Sequence, residues 1–294
     1  MSPNSVQSEL FLNRLMDWLK GTELFEQAWK TVCANALNWW WSEQLCLFTV
    51  GAWTVFLSAQ GESSSCSLSQ ITDVRMYTGR RYNIRYTWAY MLLGQVVAIS
   101  VASNLFYLAI SLAPPPKSKK TGPSYAHPSL WISVLLSLVT VGITPFTNER
   151  TFLPNLLVMH VLILLPLLAP SRSTSFSLRI RTLYGITTLF AFLLHLRTIG
   201  SALALIPPSN RAFKNLVFIA WDVLHSHPAQ SSIGWDVVWT TFSFLVWQVL
   251  GERKKTGRVP GLLFSTAVCS VGVSAADDWR KDEEWIDQRV AKDK

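Results

Sequence analysis

Apolar residues in this chain fall in long blocks, not in the alternating or half-periodic patterns of soluble strands and helices. Apolar runs of about 18 residues or more, with few or no charges, are long enough to cross a bilayer as helices. Seven stretches meet or approach that length: Glu43–Ala59, Tyr86–Ala113, Ser129–Phe146, Phe152–Ala169, Leu183–Ile206, Ile233–Leu250 and Val259–Ala275. The first is short, and the second and fifth are long enough to tilt. Lipid offers backbone groups no partners, so each span must satisfy its own. The pattern therefore predicts an all-α fold, a polytopic bundle of about seven transmembrane helices. Pro114-Pro115-Pro116 closes the second run, since proline cannot continue a helix. Ahead of the bundle, Phe11, Leu15, Trp18 and Leu19 share one helical face, and Phe25 and Trp29 continue an apolar stripe after Gly21. This fits interfacial helices or helices packed on the bundle. The expected divisions are an amphipathic region at 1–42, the bundle at 43–276 and a charged tail at 277–294, a solvated helix or a frayed end.

Polar positions inside the runs carry the chemical signal. Trp-Asp occurs twice, at Trp221-Asp222 and Trp235-Asp236, on either side of a polar turn with His225, Ser226, His227 and Gln230. Pro228 and Gly234 interrupt the pattern there, so residues 213–224 read as a short amphipathic or re-entrant segment. In the sixth run, Asp236, Trp239, Thr240, Ser243 and Trp247 share a face at 3.6 residues per turn. A lipid-facing carboxylate is costly, so this face is expected to look inward. Tyr184, Thr188, His195 and Thr198 form a similar stripe in the fifth run, and Ser100, Ser103, Asn104 and Tyr107 in the second. Asn155 and His160 mark the fourth. Each polar residue has a purely structural alternative as a hydrogen bond between helices.

Composition sharpens this picture. Half of the 294 residues are hydrophobic, 15% are charged and fourteen are Trp. Trp39-Trp40-Trp41 fits an aromatic belt at the membrane surface, whereas Trp235, Trp239 and Trp247 lie deeper. The net charge of +8 comes from residues dispersed over short loops, such as Lys117, Lys119, Lys120, Arg253, Lys254 and Lys255. That distribution is a topology signal favouring a cytosolic N-terminus, not a nucleic-acid surface. Cys33, Cys46, Cys66 and Cys269 show no disulfide spacing. The chain has no H-E-x-x-H, Walker, G-x-S-x-G or G-x-G-x-x-G motif. His225 and His227 are a weak metal pair, so no metal is expected.

An acid among indoles suits one kind of chemistry. Apolar surroundings favour the protonated form of a carboxyl group, which can then act as a general acid toward an alkene or epoxide. Indole faces attract the resulting cation by about 2 kcal/mol or more when desolvated. The stretch WDVLHSHPAQSSIGWDVVWTTFSFLVW, from Trp221 to Trp247, together with the seven-run size, resembles the small integral-membrane terpene cyclases of fungal meroterpenoid pathways, of the ascofuranone type. The resemblance implies cyclisation of an epoxidised farnesyl-phenol, no metal, no diphosphate ionisation, no soluble cofactor and residence in the endoplasmic reticulum membrane. The expected partners are a lipophilic prenylated small molecule and membrane lipid. In this reading Asp236 donates the proton, and Asp222 or His225 tunes it or takes back the final proton. Trp221, Trp235 and Trp239 shield the cation, and Trp247, Thr240, Ser243, His195 and Tyr184 complete the substrate wall. The alternatives are a sterol or isoprenoid double-bond isomerase, a proton-coupled transporter with Asp236, Asp222 and His195 as relay, and a non-catalytic lipid-binding scaffold.

Overall fold

A computed structural model describes residues 24–60, 84–113, 124–168, 176–250 and 259–292, nearly all of them helical. The apolar stripe expected at residues 11–19 lies outside them, as does Cys66. Helix α1 spans Leu24–Val32. The Asn35 carboxamide then accepts the N–H groups of Leu37 at 2.9 Å and Asn38 at 3.1 Å. Capping these orphan donors starts α2, Ala36–Leu47. Helix α2 runs on through a π-helical turn, Phe48–Trp53, into α3, Thr54–Gln60. The Thr54 hydroxyl donates to the Thr49 carbonyl, five residues back, at 2.7 Å. Every residue from Ser42 to Gln60 is buried. A helix covered on all sides is the axis of a bundle rather than a wall.

The stretch Tyr86–Ala113 does not form one tilted span. It breaks at Val97–Ala98 into α4, Thr87–Val96, and α5, Ile99–Leu112. The two fold back on each other: the Tyr90 and Phe106 rings lie 5.0 Å apart. A Cβ built on Gly94 would sit 2.6 Å from Ile99 Cδ1 and 3.4 Å from Ala102 Cβ, so glycine is what lets the limbs close. At 1.5 Å per residue the limbs reach only about 15 and 21 Å, against a hydrocarbon core of about 30 Å. The element is a helical hairpin with its tip at Ala98. Unbroken hydrophobicity concealed this reversal.

The chain continues through β1, Tyr125–Ala126, and α6, Pro128–Ile143, which ends in a 3₁₀ turn at Thr144–Phe146. Then come α7, Phe152–Leu168, β2, Leu178–Arg179, and α8, Ile180–Leu205. The two short strands pair antiparallel, Tyr125 opposite Arg179, and tie the start of α6 to the start of α8. Helix α9, Phe213–Leu224, leads into α10, Pro228–Leu250. The last helix, α11, spans Val259–Lys292. It runs on through the stretch expected as a solvated helix or frayed tail, as a helix that is packed and not solvated all round: Trp279 is buried and stacks on Phe56 with centroids 4.1 Å apart. Around the axis, α8 runs along α11, α6 pairs with α7, and α10 crosses α2 and α5.

Four helical stretches are long and apolar enough to cross a membrane: Pro128–Phe146, Ile180–Leu205, Pro228–Leu250 and Val259–Gln288. They indicate an integral membrane protein. Of the other three expected spans, Phe152–Leu168 is a shorter apolar helix, 36–60 is the buried axis, and 86–113 is the hairpin.

Packing is aromatic and close. Phe48, Trp53, Phe56, Phe106, Tyr107, Trp247 and Trp279 interlock, with Tyr107 flat on Trp247 at 4.5 Å. Trp39, expected in an interfacial belt, is buried, and the Trp41 indole N–H donates to the Ala220 carbonyl at 3.1 Å. The belt reading fails here because α9 and α10 cover this turn of α2. Helix α11 is broken at Ser270, with φ 76° and ψ 160°. Beside the break, a Cβ on Gly272 would lie 2.8 Å from the Phe48 nitrogen and 2.9 Å from the Leu47 carbonyl carbon. Backbone meets backbone where the π turn begins.

Candidate functional site

The bundle contains a cavity of about 250 Å³. Helix α1 contributes Ala28, Trp29 and Val32, and the axis contributes Leu45, Cys46, Thr49 and Val50. The hairpin tip supplies Gly94, Gln95, Val97, Ala98 and Ile99. Met159, His160 and Ile163 of α7 face Ala229, Ser232, Ile233 and Asp236 of α10. Val97 is 63% exposed and stands at the mouth. No Lys or Arg is on the wall among the described residues.

Asp236 is the organising group. One carboxylate oxygen accepts the Ile99 N–H at 2.9 Å and the other accepts the Ser100 N–H at 2.7 Å. These are the first two residues of α5, and the residue before them, Ala98, has no side chain that can cap. An acid from another helix therefore satisfies the orphan donors and complements the positive end of the helix dipole. The expected inward orientation of Asp236 holds, and its partner is the broken backbone of the hairpin rather than a side chain.

His160 also stands on the wall. Its Nδ1–H donates to the Leu156 carbonyl at 2.7 Å, and its ring meets Trp29 edge-on at 6.0 Å. The Gln95 amide nitrogen is buried and has no hydrogen-bond partner among the described residues.

The other expected residues are distributed differently. Trp235 is 38% exposed and Trp239 is 54% exposed, so both lie on the outer face of α10. The inward arc of that helix runs through Gln230, Gly234, Val237, Thr240 and Phe244. Its centre lies about 140° or more from both indoles at 100° per residue. Trp221 is exposed and sits 4.4 Å from the His225 ring, and Trp235 closes this cluster at 6.3 Å from Trp221. Asp222 and His225 are exposed in the same region, away from the cavity wall. Trp247 is occupied by its stack on Tyr107. Thr240 is buried, and the Ser243 hydroxyl donates to the Trp239 carbonyl at 2.6 Å. Tyr184 is buried beside Trp279, 6.2 Å between centroids. Of the predicted set, Asp236 alone lines the cavity.

His195 belongs to a second cluster that sequence reasoning missed. Glu43, wholly buried in α2, accepts the Thr198 hydroxyl at 2.7 Å and the His195 Nδ1–H at 3.3 Å. Arg197 approaches to 4.0 Å while donating to the Gly142 carbonyl at 2.7 Å. The cluster joins α2, α6 and α8, and it is not on the cavity wall. Its sequence signal was an acid at the edge of an apolar run, facing a His-x-x-Thr stripe. Groups of three or more His, Cys, Asp or Glu placed to hold a metal ion are absent among the described residues.

Comparisons with known protein families, curated proteins and solved structures find no match for this chain.

Proposed function

We propose that this protein is a membrane-embedded terpene cyclase acting on a lipophilic prenylated substrate in the Asp236 cavity. The observation that carries the reading is a carboxyl group on the wall of a largely apolar cavity inside a helical bundle. Asp236 in its protonated form gives its proton to an epoxide oxygen or an alkene carbon, and the Ile99 and Ser100 N–H groups hold the carboxylate left behind. The C–O bond or the π bond breaks, a neighbouring double bond attacks the cationic carbon, and a ring closes. A proton then leaves an adjacent carbon for the Asp236 carboxylate, which restores the acid, so the product is an isomer of the substrate. Trp29 is the indole at the wall, and it takes the cation-shielding role first given to Trp221, Trp235 and Trp239. Ligand pockets commonly measure roughly 300–1,000 Å³. At about 250 Å³ this cavity takes one end of a farnesyl-sized molecule, and the remainder lies in the bilayer, entered past Val97. Residence in the endoplasmic reticulum membrane and a cytosolic N-terminus belong to the same proposal.

The test uses membranes containing the full chain, incubated with farnesyl-phenol and with its terminal epoxide. Cyclised products of unchanged mass are expected from the wild type and are expected to vanish in Asp236→Asn. Wild-type turnover in that variant removes Asp236 from the role. Ring-free double-bond isomers would instead favour the isomerase.

A proton-coupled transporter is the second reading, and the hairpin favours it. Broken helices at membrane depth are tolerated where they line a cavity, and their ends form binding sites in transporters. Proteoliposomes that accumulate solute in proportion to a pH gradient, dependent on Asp236, would replace the cyclase.

A further inference from the structure

Trp221, His225 and Trp235 stand clear of the cavity wall, so the cyclase reading leaves them unused. They meet one another where α9 turns into α10. The Trp221 centroid lies 4.4 Å from that of His225 and 6.3 Å from that of Trp235, and His225 and Trp235 are 6.2 Å apart. Their planes cross at 46°, 83° and 73°, so the rings form a corner rather than a stack. All three are exposed. The point equidistant from the three centroids is about 3.3 Å from each. A cation about 4 Å above it is therefore about 5 Å from every ring, within reach of cation–π attraction.

The charges nearby suit a cation. Asp222 precedes His225 by three residues, a spacing that makes helical side chains neighbours. Its carboxylate is exposed and has no ion-pair partner among the described residues. Lys214, on the same helix, lies over the Phe218 ring instead, 5.9 Å from its centroid. The surroundings indicate what carries the cation. Helix α10 is long and apolar enough to cross a membrane, and the corner lies on its outer face. On one side is the exposed polar turn of His225, Ser226 and His227. On the other, Trp239 and Phe242 stand four and seven residues after Trp235, on the same exposed face, with their rings edge-on at 6.0 Å. Polar turn, ring corner and apolar strip follow in the order of a phospholipid's own parts.

We infer that Trp221, His225, Trp235 and Asp222 hold the trimethylammonium group of a choline phospholipid whose acyl chain lies along Trp239 and Phe242. A quaternary ammonium has no N–H to give up, whereas a primary ammonium brings three donors that rings satisfy poorly. The inference is independent of the cyclase reading, because none of these residues is on the cavity wall.

Three phospholipids with the same short acyl chains test it: phosphatidylcholine, phosphatidylethanolamine, and a carbon isostere in which 3,3-dimethylbutyl replaces choline. The isostere keeps the shape of the head and removes its positive charge. Each is titrated against the full chain in detergent, and retained lipid is counted by native mass spectrometry. Phosphatidylcholine is expected to bind at one site about tenfold more tightly than either competitor. Trp221→Leu and Trp235→Leu should each cost it about two- to fivefold, and the double variant should abolish the preference. Trp239→Leu should weaken all three lipids alike and keep the preference. These side chains are exposed, so the lipid-free unfolding midpoint should stay at the wild-type value. Equal binding of phosphatidylcholine and the isostere, tighter binding of phosphatidylethanolamine, or a preference that survives in the double variant overturns the inference.

Discussion

The hairpin of α4 and α5 is open to a direct distance test. A single helix from Tyr86 to Leu112 would separate the two residues by about 39 Å at 1.5 Å per residue. In the hairpin both lie at the open end, because the limbs run antiparallel from the tip at Ala98. The limbs differ by four residues, 14 against 10. That offsets their ends by only about 6 Å along the axis, across an interaxial distance of about 8–10 Å. Tyr86 is 68% exposed and Leu112 is 76% exposed, so both positions accept a nitroxide label without disturbing the packing. Tyr86→Cys and Leu112→Cys, placed in a background where Cys33, Cys46, Cys66 and Cys269 are serine, give a labelled pair for pulsed electron–electron dipolar measurements in nanodiscs. The expected distribution centres near 10–20 Å, allowing for the label arms. A peak near 40 Å would mean a continuous helix. It would remove the broken backbone at Ala98 and, with it, the role of Asp236 as its cap.

Other outcomes follow from the packing. Asp236→Ala strands the Ile99 and Ser100 N–H groups, at about 1–3 kcal/mol each. A loss of roughly 2–6 kcal/mol is expected in reversible detergent unfolding, with Asn costing less because its oxygen still accepts one bond; a loss below about 0.5 kcal/mol contradicts the cap. Gly272→Ala drives a methyl group into the Leu47–Phe48 backbone and should lower stability by about 1–3 kcal/mol or more, read as a fall in the unfolding midpoint. In a double-mutant cycle of Glu43→Gln with His195→Phe, a coupling above about 1 kcal/mol is expected from the buried contact. Burial, and after it the neighbouring Cys46, push the Cys33 thiol well above its ordinary range. Cys33 is partly buried and the thiolate is the reactive form, so N-ethylmaleimide at pH 7.5 should label Cys33 more slowly in the folded protein than after denaturation; equal rates would contradict the raised pKa.

Helix positions were legible because apolar blocks of this length have few other solutions in lipid. The inward stripe of Tyr184, His195 and Thr198 was legible as well, since three polar groups at helical spacing share a face. What failed had identifiable causes. The face of α10 was centred on its polar and aromatic residues, whereas packing centres it on Val237 and Phe244 and turns Trp239 outward. An indole is stable against lipid, so its identity does not report its direction. The reversal at Ala98 left a single local trace, Gly94, and the residue that stabilises it is 138 positions later on another helix. Glu43 looked like the edge of a span because its partners, His195 and Thr198, come from a distant segment.

The axis helix carries a final consequence. Its flanks are Ser42, Glu43, Gln44, Thr49 and Thr54, side chains that acyl chains solvate poorly. Its backbone at Leu47–Phe48 is sealed only when Gly272 arrives on the last helix. During synthesis the earliest of these segments must therefore wait, inadequately sheltered, for the latest one. Maturation becomes a race between closure of the C-terminal helix and recognition of an orphaned polar segment by membrane quality control. Chains cut within the final helix should be degraded rather than accumulate as inactive protein.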